Sequence, residues 1–213
     1  MKGNREENNR EEVKLKIIET ALNEYRSRGI KDVKMDDIAS LISVSKRTIY
    51  ELFTDKEVLI TETLKHHHKL MHDEAREIIK QCENILDVIL CLYELYFNYL
   101  KNTSRSFFTD LDRYPNIRDE IRKREKRDDK RFIAWMEEGR KQGLFRTDAD
   151  FKILAYVIKR DMELIMTINK KNEKGELQEY TPEQLGRHLI LFYLRGIATP
   201  AGQAKIEKFI EKY

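Results

Sequence analysis

The segment 34–59, KMDDIASLISVSKRTIYELFTDKEVL, constrains the fold of this chain more than any other part of its sequence. Apolar residues recur at helical spacing from Met35 to Ile42 and predict one short helix. Two aspartates lie in its first turn, where the helix dipole favours negative charge. After a turn at 43–44, Ser45 is a good N-cap for a second short helix. The segment therefore predicts two short helices around a tight turn, followed by the start of another helix.

The second of these helices has one apolar side and one polar side. Ile49 and Phe53 are four residues apart and are expected to be buried, so that the opposite side presents Lys46, Arg47, Thr48, Tyr50 and Glu51. A short helix that exposes hydrogen-bond donors near its N-terminus is what a helix-turn-helix places in the DNA major groove. The segment thus predicts a DNA-binding protein.

The charge of the chain does not indicate a non-specific DNA-coating protein. The formal net charge is +3, and residues 1–60 contain 12 Lys and Arg against 12 Asp and Glu. Attraction to phosphate must therefore come from local placement of Lys34, Lys46, Arg47 and Lys56. This arrangement favours a specific binder with a modest footprint.

Composition points to an all-helical protein that does not enter a membrane. Helix-breaking residues are few, with 8 Gly and 3 Pro, while 37% of residues are charged and 40% are apolar. No apolar run approaches the roughly 20 residues that a bilayer-spanning helix needs. The polar N-terminus does not resemble a secretory signal, and Cys82 and Cys91 are expected to be reduced thiols of a cytoplasmic protein. A redox sensor is the less favoured interpretation of the two cysteines.

The pattern along the chain predicts a flexible arm over 1–10, a helix-turn-helix domain over 11–56 and a larger helical domain over 57–213. The first helix is expected over about 11–28, closed by Gly29 as a left-handed C-cap. Later helices are expected over about 84–100, 106–113, 116–142, 148–168, 182–196 and 201–213. The polar stretch 169–182 reads as a loop, with Pro182 in the first turn of the helix that follows.

Several elements in fixed order resemble the TetR family of bacterial transcriptional regulators. These are a first helix with Ile17, Ala21 and Tyr25 closed by Gly29, then DDIA, then VSKRTIY, then Phe53 and the Lys56-Glu57 pair. The resemblance covers about residues 11–60, and the C-terminal half matches only in general layout. Three positions depart from the family pattern: Ser43 stands where the family often has Gly, Arg47 occupies another position that is frequently small, and Lys34 replaces a Thr or Ser that opens the second helix.

The resemblance implies that Tyr50 and Lys56 hold DNA phosphates. Both side chains carry suitable donors, and Lys56 also lies at a helix N-terminus. Lys46 and Arg47 are candidates for base contact, since Arg suits guanine O6 and N7, although contact with phosphate alone is as plausible. The candidate DNA-binding residues are Lys34, Ser45, Lys46, Arg47, Thr48, Tyr50, Glu51 and Lys56.

The resemblance further implies a homodimer on double-stranded operator DNA, with a small-molecule effector in the C-terminal domain. Candidate pocket residues are His66, Tyr93, Tyr96, Phe97, Phe108, Trp135, Met162 and Met166. An aromatic and Met stripe at helical spacing is, however, more often ordinary core. Candidate interface residues on the last two long helices are Val157, Leu185, Leu189, Phe192 and Tyr193, whose wide apolar arcs can instead be satisfied within one subunit.

Other features carry less weight. His66, His67, His68 and His72 invite a metal site, but adjacent histidines point in different directions, so that no metal and no cofactor are expected. The run RKREKRDDKR over 122–131 mixes acids with bases and favours a solvated helix face. The sequence contains no phosphate loop, nucleophile elbow, HExxH or CxxC motif, so that an enzyme is not expected.

The sequence as a whole predicts an all-helical, homodimeric regulator, a repressor released from its operator by a small molecule. Two alternatives stay open at this point. One is an effector-independent DNA-binding protein, and the other is a helical protein-interaction module that no longer binds DNA. Retention of Thr48, Tyr50 and Lys56 speaks against the second alternative.

Overall fold

The computed structural model is built from α-helices and describes residues 2–101, 103–167 and 180–212. Over those residues it has ten helices, and the all-helical fold expected from the composition is confirmed. They are α1 (Lys2–Arg28), α2 (Met35–Leu41), α3 (Lys46–Leu52), α4 (Lys56–Gln81), α5 (Ile85–Lys101), α6 (Arg105–Leu111), α7 (Pro115–Lys141), α8 (Phe151–Thr167), α9 (Pro182–Ile197) and α10 (Pro200–Lys212).

The chain forms two compact units. The first comprises Met1–Asp73 and Thr103–Arg118, and the second comprises Glu74–Asn102 and Asp119–Tyr213. The unit boundaries fall inside α4 and α7, and α6 belongs to the first unit with α1, α2 and α3. The domain boundary placed between residues 56 and 57 from the sequence stays a prediction, although the first unit extends beyond it.

Helix α1 is longer than the sequence pattern indicates. It begins at Lys2, so that residues 2–10 are helical rather than an arm outside the helix. These residues lack apolar periodicity, which is why the pattern missed them, but Glu, Lys and Arg have good helix propensity. Extending an existing helix also needs no new nucleation. The predicted end is confirmed: Gly29 has a φ of 87° and donates its N–H to the Tyr25 carbonyl at 3.0 Å.

The turn between α2 and α3 lies where the sequence placed it. Ser43 adopts a φ of 59°, the left-handed region that favours glycine, and Val44 donates its N–H to the Ala39 carbonyl at 3.0 Å. Ile38 of α2 and Ile49 of α3 are completely buried, and the two helices are in contact. Burial of these side chains leaves the other side of α3 in solvent.

The second unit packs α5, α8, α9 and α10 around a core that includes Leu86, Ile89, Phe97, Ile190, Leu194 and Ile206. The Thr181 hydroxyl caps α9 by accepting the Gln184 N–H at 3.1 Å. Most of the predicted loop over 169–182 lies outside the described residues. None of the helices that the structure describes is both long enough and apolar enough to cross a membrane.

Candidate nucleic-acid interface

Helix α3 presents its polar side from a well-capped N-terminus. The Ser45 hydroxyl accepts the Thr48 N–H at 3.0 Å, and the two hydroxyl oxygens lie 2.8 Å apart. Ser45 and Thr48 therefore serve first as the cap of the helix. Exposed beside them are Lys46, Arg47, Tyr50 and Glu51, so that the structure places these predicted side chains on one solvent-facing surface.

Both cations of this surface are paired with acids of the same chain. Lys46 Nζ lies 2.5 Å from a carboxylate oxygen of Asp36 on α2, and Arg47 Nε lies 2.6 Å from Glu51 Oε1 one turn along α3. The hydrogen bonds raise the pKa of Lys46 and of Arg47. Because these pairs are exposed, each contributes little to stability and can exchange for a phosphate or a base.

Two further candidates flank these pairs. The Tyr50 side chain is 49% exposed, which leaves its hydroxyl accessible to a phosphate. Lys34 is exposed at the N-terminus of α2, where its backbone N–H donates to Asp37 Oδ2 at 3.0 Å. A lysine side chain cannot accept a hydrogen bond, so the Asp37 carboxylate supplies the side-chain acceptor at the start of α2.

Lys56 differs from the other candidates because its amine turns inward. Its Nζ donates to the Ile30 carbonyl at 2.5 Å and lies 6.0 Å from the ring centre of the buried Tyr25. Burial lowers the Lys56 pKa, while the nearby Asp110, Asp32 and Asp37 raise it. The start of α4 is capped by Asp55, whose Oδ1 accepts the Val58 N–H at 2.9 Å.

The same region contains a residue that sequence reasoning missed. Asp110 on α6 is only 7% exposed, and its Oδ2 accepts the Lys31 N–H at 2.7 Å. The residues just before α6 also contact α1, because Ser104 donates its N–H to the Arg26 carbonyl at 2.6 Å. No motif marks Asp110, since its partner lies 79 residues away in the chain.

The candidate pocket residues divide between the units. His66 and Phe108 belong to the first unit, and Tyr93, Tyr96, Phe97, Trp135 and Met162 belong to the second. Within the second unit, Tyr93 stacks on Phe97 with ring centres 6.0 Å apart. A Cβ at Gly186 of α9 would lie 2.5 Å from the Phe97 ring and 3.4 Å from Met162 Cε, so the small residue lets these side chains meet. The Met166 side chain lies outside those that the structure describes.

An ion network that the sequence did not reveal lies on α5 and α9. Arg187 Nη1 lies 2.6 Å from Glu94 Oε1, and Arg187 Nη2 lies 3.3 Å from Glu183 Oε1. Burial raises the Glu94 pKa, and Arg187 opposes that rise. Since Glu94 lies one turn from Phe97, this network brings charge to the edge of the aromatic cluster.

The candidate interface residues differ in exposure. Phe192 is 67% exposed, whereas Val157, Leu185, Leu189 and Tyr193 are half-buried. The Tyr193 hydroxyl donates to Asp161 Oδ2 at 2.5 Å. The most exposed apolar side chains of α8 are Ile153, Tyr156 and Leu164 at 63%, 66% and 56%, and the sequence did not single out Tyr156 or Leu164.

The histidines of α4 do not gather metal ligands. His68 and His72 stack with ring centres 6.4 Å apart, and His66 Nε2 lies 3.9 Å from a carboxylate oxygen of Glu19. Burial lowers the His67 pKa to about 4. Among the described residues, no group of three or more His, Cys, Asp or Glu is arranged to hold a metal ion.

Comparison with known proteins agrees with this geometry. Residues 17–63, which include α2 and α3, match the model of bacterial regulatory proteins of the tetR family. The HTH-type transcriptional repressor KstR2 of Mycolicibacterium smegmatis is 23% identical over 193 residues, which are 87% of this chain and 91% of the relative. The matched residues contain the segment 34–59, from which the sequence predicted a helix-turn-helix.

Solved structures share the fold over almost their whole length. A regulator from Saccharomonospora viridis in complex with choline has a TM-score of 0.74 at 24% identity, covering 89% of this chain and 99% of that one. A TetR-family regulator from Agrobacterium tumefaciens has a TM-score of 0.72 at 12% identity, covering 89% and 100%. The likeness therefore extends through both units.

Proposed function

We propose that this chain, a transcriptional regulator of the TetR family, binds operator DNA as a homodimer and represses transcription. A small molecule then releases it from the operator. The family is non-enzymatic, in agreement with the expectation from the sequence. We also propose a cytoplasmic location, because the operator is there.

The observation that carries the DNA-binding proposal is the exposed surface of α3. Lys46, Arg47, Tyr50 and Glu51 face solvent from a helix whose N-terminus Ser45 caps. Arg47 offers a planar fork that matches guanine O6 and N7, and Tyr50 offers a hydroxyl to a phosphate. Lys34, Thr48 and the N-terminus of α4 at Lys56 complete the proposed surface.

In vitro selection from random double-stranded DNA tests this proposal. The full-length protein should enrich a near-palindromic motif, because each subunit of a two-fold dimer reads one half-site. An Arg47→Ala variant should lose roughly 1–3 kcal/mol of affinity and its preference at one position in each half-site. A Lys80→Ala control removes an exposed lysine of α4 and should retain the motif. Failure of the wild-type protein to enrich any motif would contradict the proposed function.

The homodimer proposal rests on the exposed side of α8 and α9. Ile153, Tyr156 and Leu164 lie on one face of α8, and Phe192 lies on the exposed side of α9. Gly196 is in line with Phe192, one turn further along α9, and a Cβ there would meet nothing within 4 Å. A two-fold axis brings such an apolar surface against its own copy, which removes it from water in both subunits.

The effector proposal rests on the aromatic cluster of the second unit and its ion network. Tyr93, Phe97 and Met162 provide apolar contacts, and Glu94 provides a carboxylate beside them. An effector shifts the protein between states only through its different affinity for them. Release of labelled operator by a panel of small molecules, beginning with the choline bound by the Saccharomonospora relative, tests this part. If no compound changes operator affinity while DNA binding persists, effector-independent binding is the correct function.

A further inference from the structure

One peptide group in the loop between α1 and α2 is held at both of its polar ends by charged side chains. The carbonyl of Ile30 and the N–H of Lys31 belong to the same peptide bond. Lys56 Nζ of α4 donates to that carbonyl at 2.5 Å, and Asp110 Oδ2 of α6 accepts that N–H at 2.7 Å. The result is a continuous chain of hydrogen bonds from an ammonium, through a peptide, to a carboxylate, which we name the 30–31 bridge.

The 30–31 bridge lies largely away from solvent, where hydrogen bonds to charged groups are strongest. Asp110 is buried and Lys56 is half-buried. Both hydrogen bonds involve a charged partner, and the two bonds polarise the shared peptide in the same direction. Side chains of α6 come close here because the neighbouring loop residue is Gly29: a Cβ would lie 2.7 Å from Ser106 Cβ and 3.1 Å from Asp110 Oδ2.

The loop that the bridge fixes leads directly into the helix-turn-helix. Val33 is fully buried and Lys34 is the N-cap of α2, so that a shift of the 30–31 peptide is transmitted to α2 and then to α3. By contrast, the other acid near the end of α6, Asp112, is exposed and faces Arg118 at 3.6 Å. Position in the bridge, rather than negative charge on this segment, distinguishes Asp110.

We propose that Asp110 is a positioning residue for DNA binding, which acts with Lys56 through the 30–31 bridge to hold the helix-turn-helix in its reading orientation. Lys56 then contributes mainly by holding the loop rather than as a separate phosphate contact. This inference rests on the proposed function, because it assigns a role within DNA binding. It adds a residue outside the helix-turn-helix to the residues that determine operator affinity.

A double-mutant cycle on operator binding tests the proposal. The variants are Asp110→Asn, Lys56→Met and the double variant, all as full-length protein on DNA selected by the wild type. Each single variant should bind operator roughly tenfold more weakly, because it lowers the fraction of protein in the binding-competent orientation. The double variant should bind no more weakly than the worse single variant, since both changes break the same bridge. The salt dependence should stay as in the wild type, because no phosphate contact is lost.

Two controls separate this role from a general loss of folding. Asp112→Asn removes the same charge two residues away and should leave operator affinity unchanged. Hydrogen exchange at the Lys31 amide reads the bridge without DNA and should accelerate in both single variants while amides of the α3 interior keep their protection. Because the α3 amides report separately on folding, the Lys31 exchange rate tests the bridge even in a variant that is less stable overall.

The outcomes are distinct. Independent, additive losses, or a Lys56→Met variant with a salt slope lower by about 1 per half-site, would show a separate phosphate contact and overturn the proposal. Wild-type affinity in Asp110→Asn would overturn it as well. Absence of DNA binding by the wild-type protein would instead contradict the proposed function, and unchanged Lys31 exchange in Asp110→Asn would contradict the bridge alone.

Discussion

Replacement of Phe192 by Glu is expected to separate the homodimer into monomers. The side chain is 67% exposed in the single chain. A phenylalanine carries roughly 200 Å² of surface, so that about 130 Å² is available for burial by a partner. At about 25 cal/mol per Å², full burial contributes about 3 kcal/mol for each subunit.

The effect of the substitution is doubled by symmetry. A two-fold interface contains Phe192 twice, so that about 6 kcal/mol of association energy is lost, which corresponds to roughly a 10⁴-fold weaker dimer. The introduced carboxylates also lose hydration if the interface forms, which adds to this loss. Because Phe192 is exposed in the monomer, its replacement should leave the fold of the subunit unaffected.

Analytical ultracentrifugation at micromolar concentration measures this prediction. The wild-type protein should sediment as a dimer and the Phe192→Glu variant as a monomer with the same helical circular dichroism. Leu70→Glu is a suitable control, since Leu70 is a similarly accessible apolar residue on α4, at 49% exposure. A Phe192→Glu variant that sediments as a wild-type dimer would refute the interface, and a monomeric Leu70→Glu variant would refute its location.

Three further predictions concern stability. Ser43→Gly should raise the free energy of unfolding by about 1 kcal/mol, since Ser43 holds a φ of 59° that glycine adopts freely; urea denaturation measures the gain, and a loss would contradict it. Gly202→Ala should lower the melting temperature, because a Cβ there would lie 2.2 Å from the Leu144 carbonyl oxygen, and a wild-type melting temperature would contradict this. His67 has a folded pKa of about 4, below the usual 6.5, so that the unfolded chain binds the proton first. Stability should therefore be full above pH 6.5 and fall towards pH 4, and His67→Gln should flatten that fall in denaturation curves.

The parts of the fold that sequence reasoning found are those with local signals. The α2–α3 turn is encoded by apolar spacing, by the Ser45 cap and by residues that lie within one or two helical turns of one another. The end of α1 at Gly29 is likewise local. The start of α1 was missed because residues 2–10 are polar throughout, and a helix without an apolar side has no periodicity to detect.

The parts of the site that sequence reasoning missed depend on contacts between distant segments. Asp110 meets Lys31 across 79 residues, and Arg187 meets Glu94 from a different helix. The inward direction of Lys56 has the same origin, since its partner is a carbonyl of the preceding loop. A sequence pattern shows that a lysine opens a helix, but only the packed fold determines where the amine points.

The remaining ambiguity on α3, whether Glu51 reads a base or only pairs with Arg47, can be resolved by Glu51→Gln. Glu51 Oε1 lies 2.6 Å from Arg47 Nε, and both side chains are largely exposed. If Glu51 is only an ion partner, its neutralisation frees Arg47 and removes repulsion from the DNA backbone. Affinity should then rise by a small and equal factor on all sequences, since an exposed i, i+4 pair is worth about 0.3–0.5 kcal/mol.

If Glu51 accepts a hydrogen bond from cytosine N4, affinity for the selected motif should instead fall and preference at one position of each half-site should relax. Because Arg47 leaves its ion pair whenever it reaches a base, we expect the first outcome, and a lost cytosine preference in repeated selection would refute it.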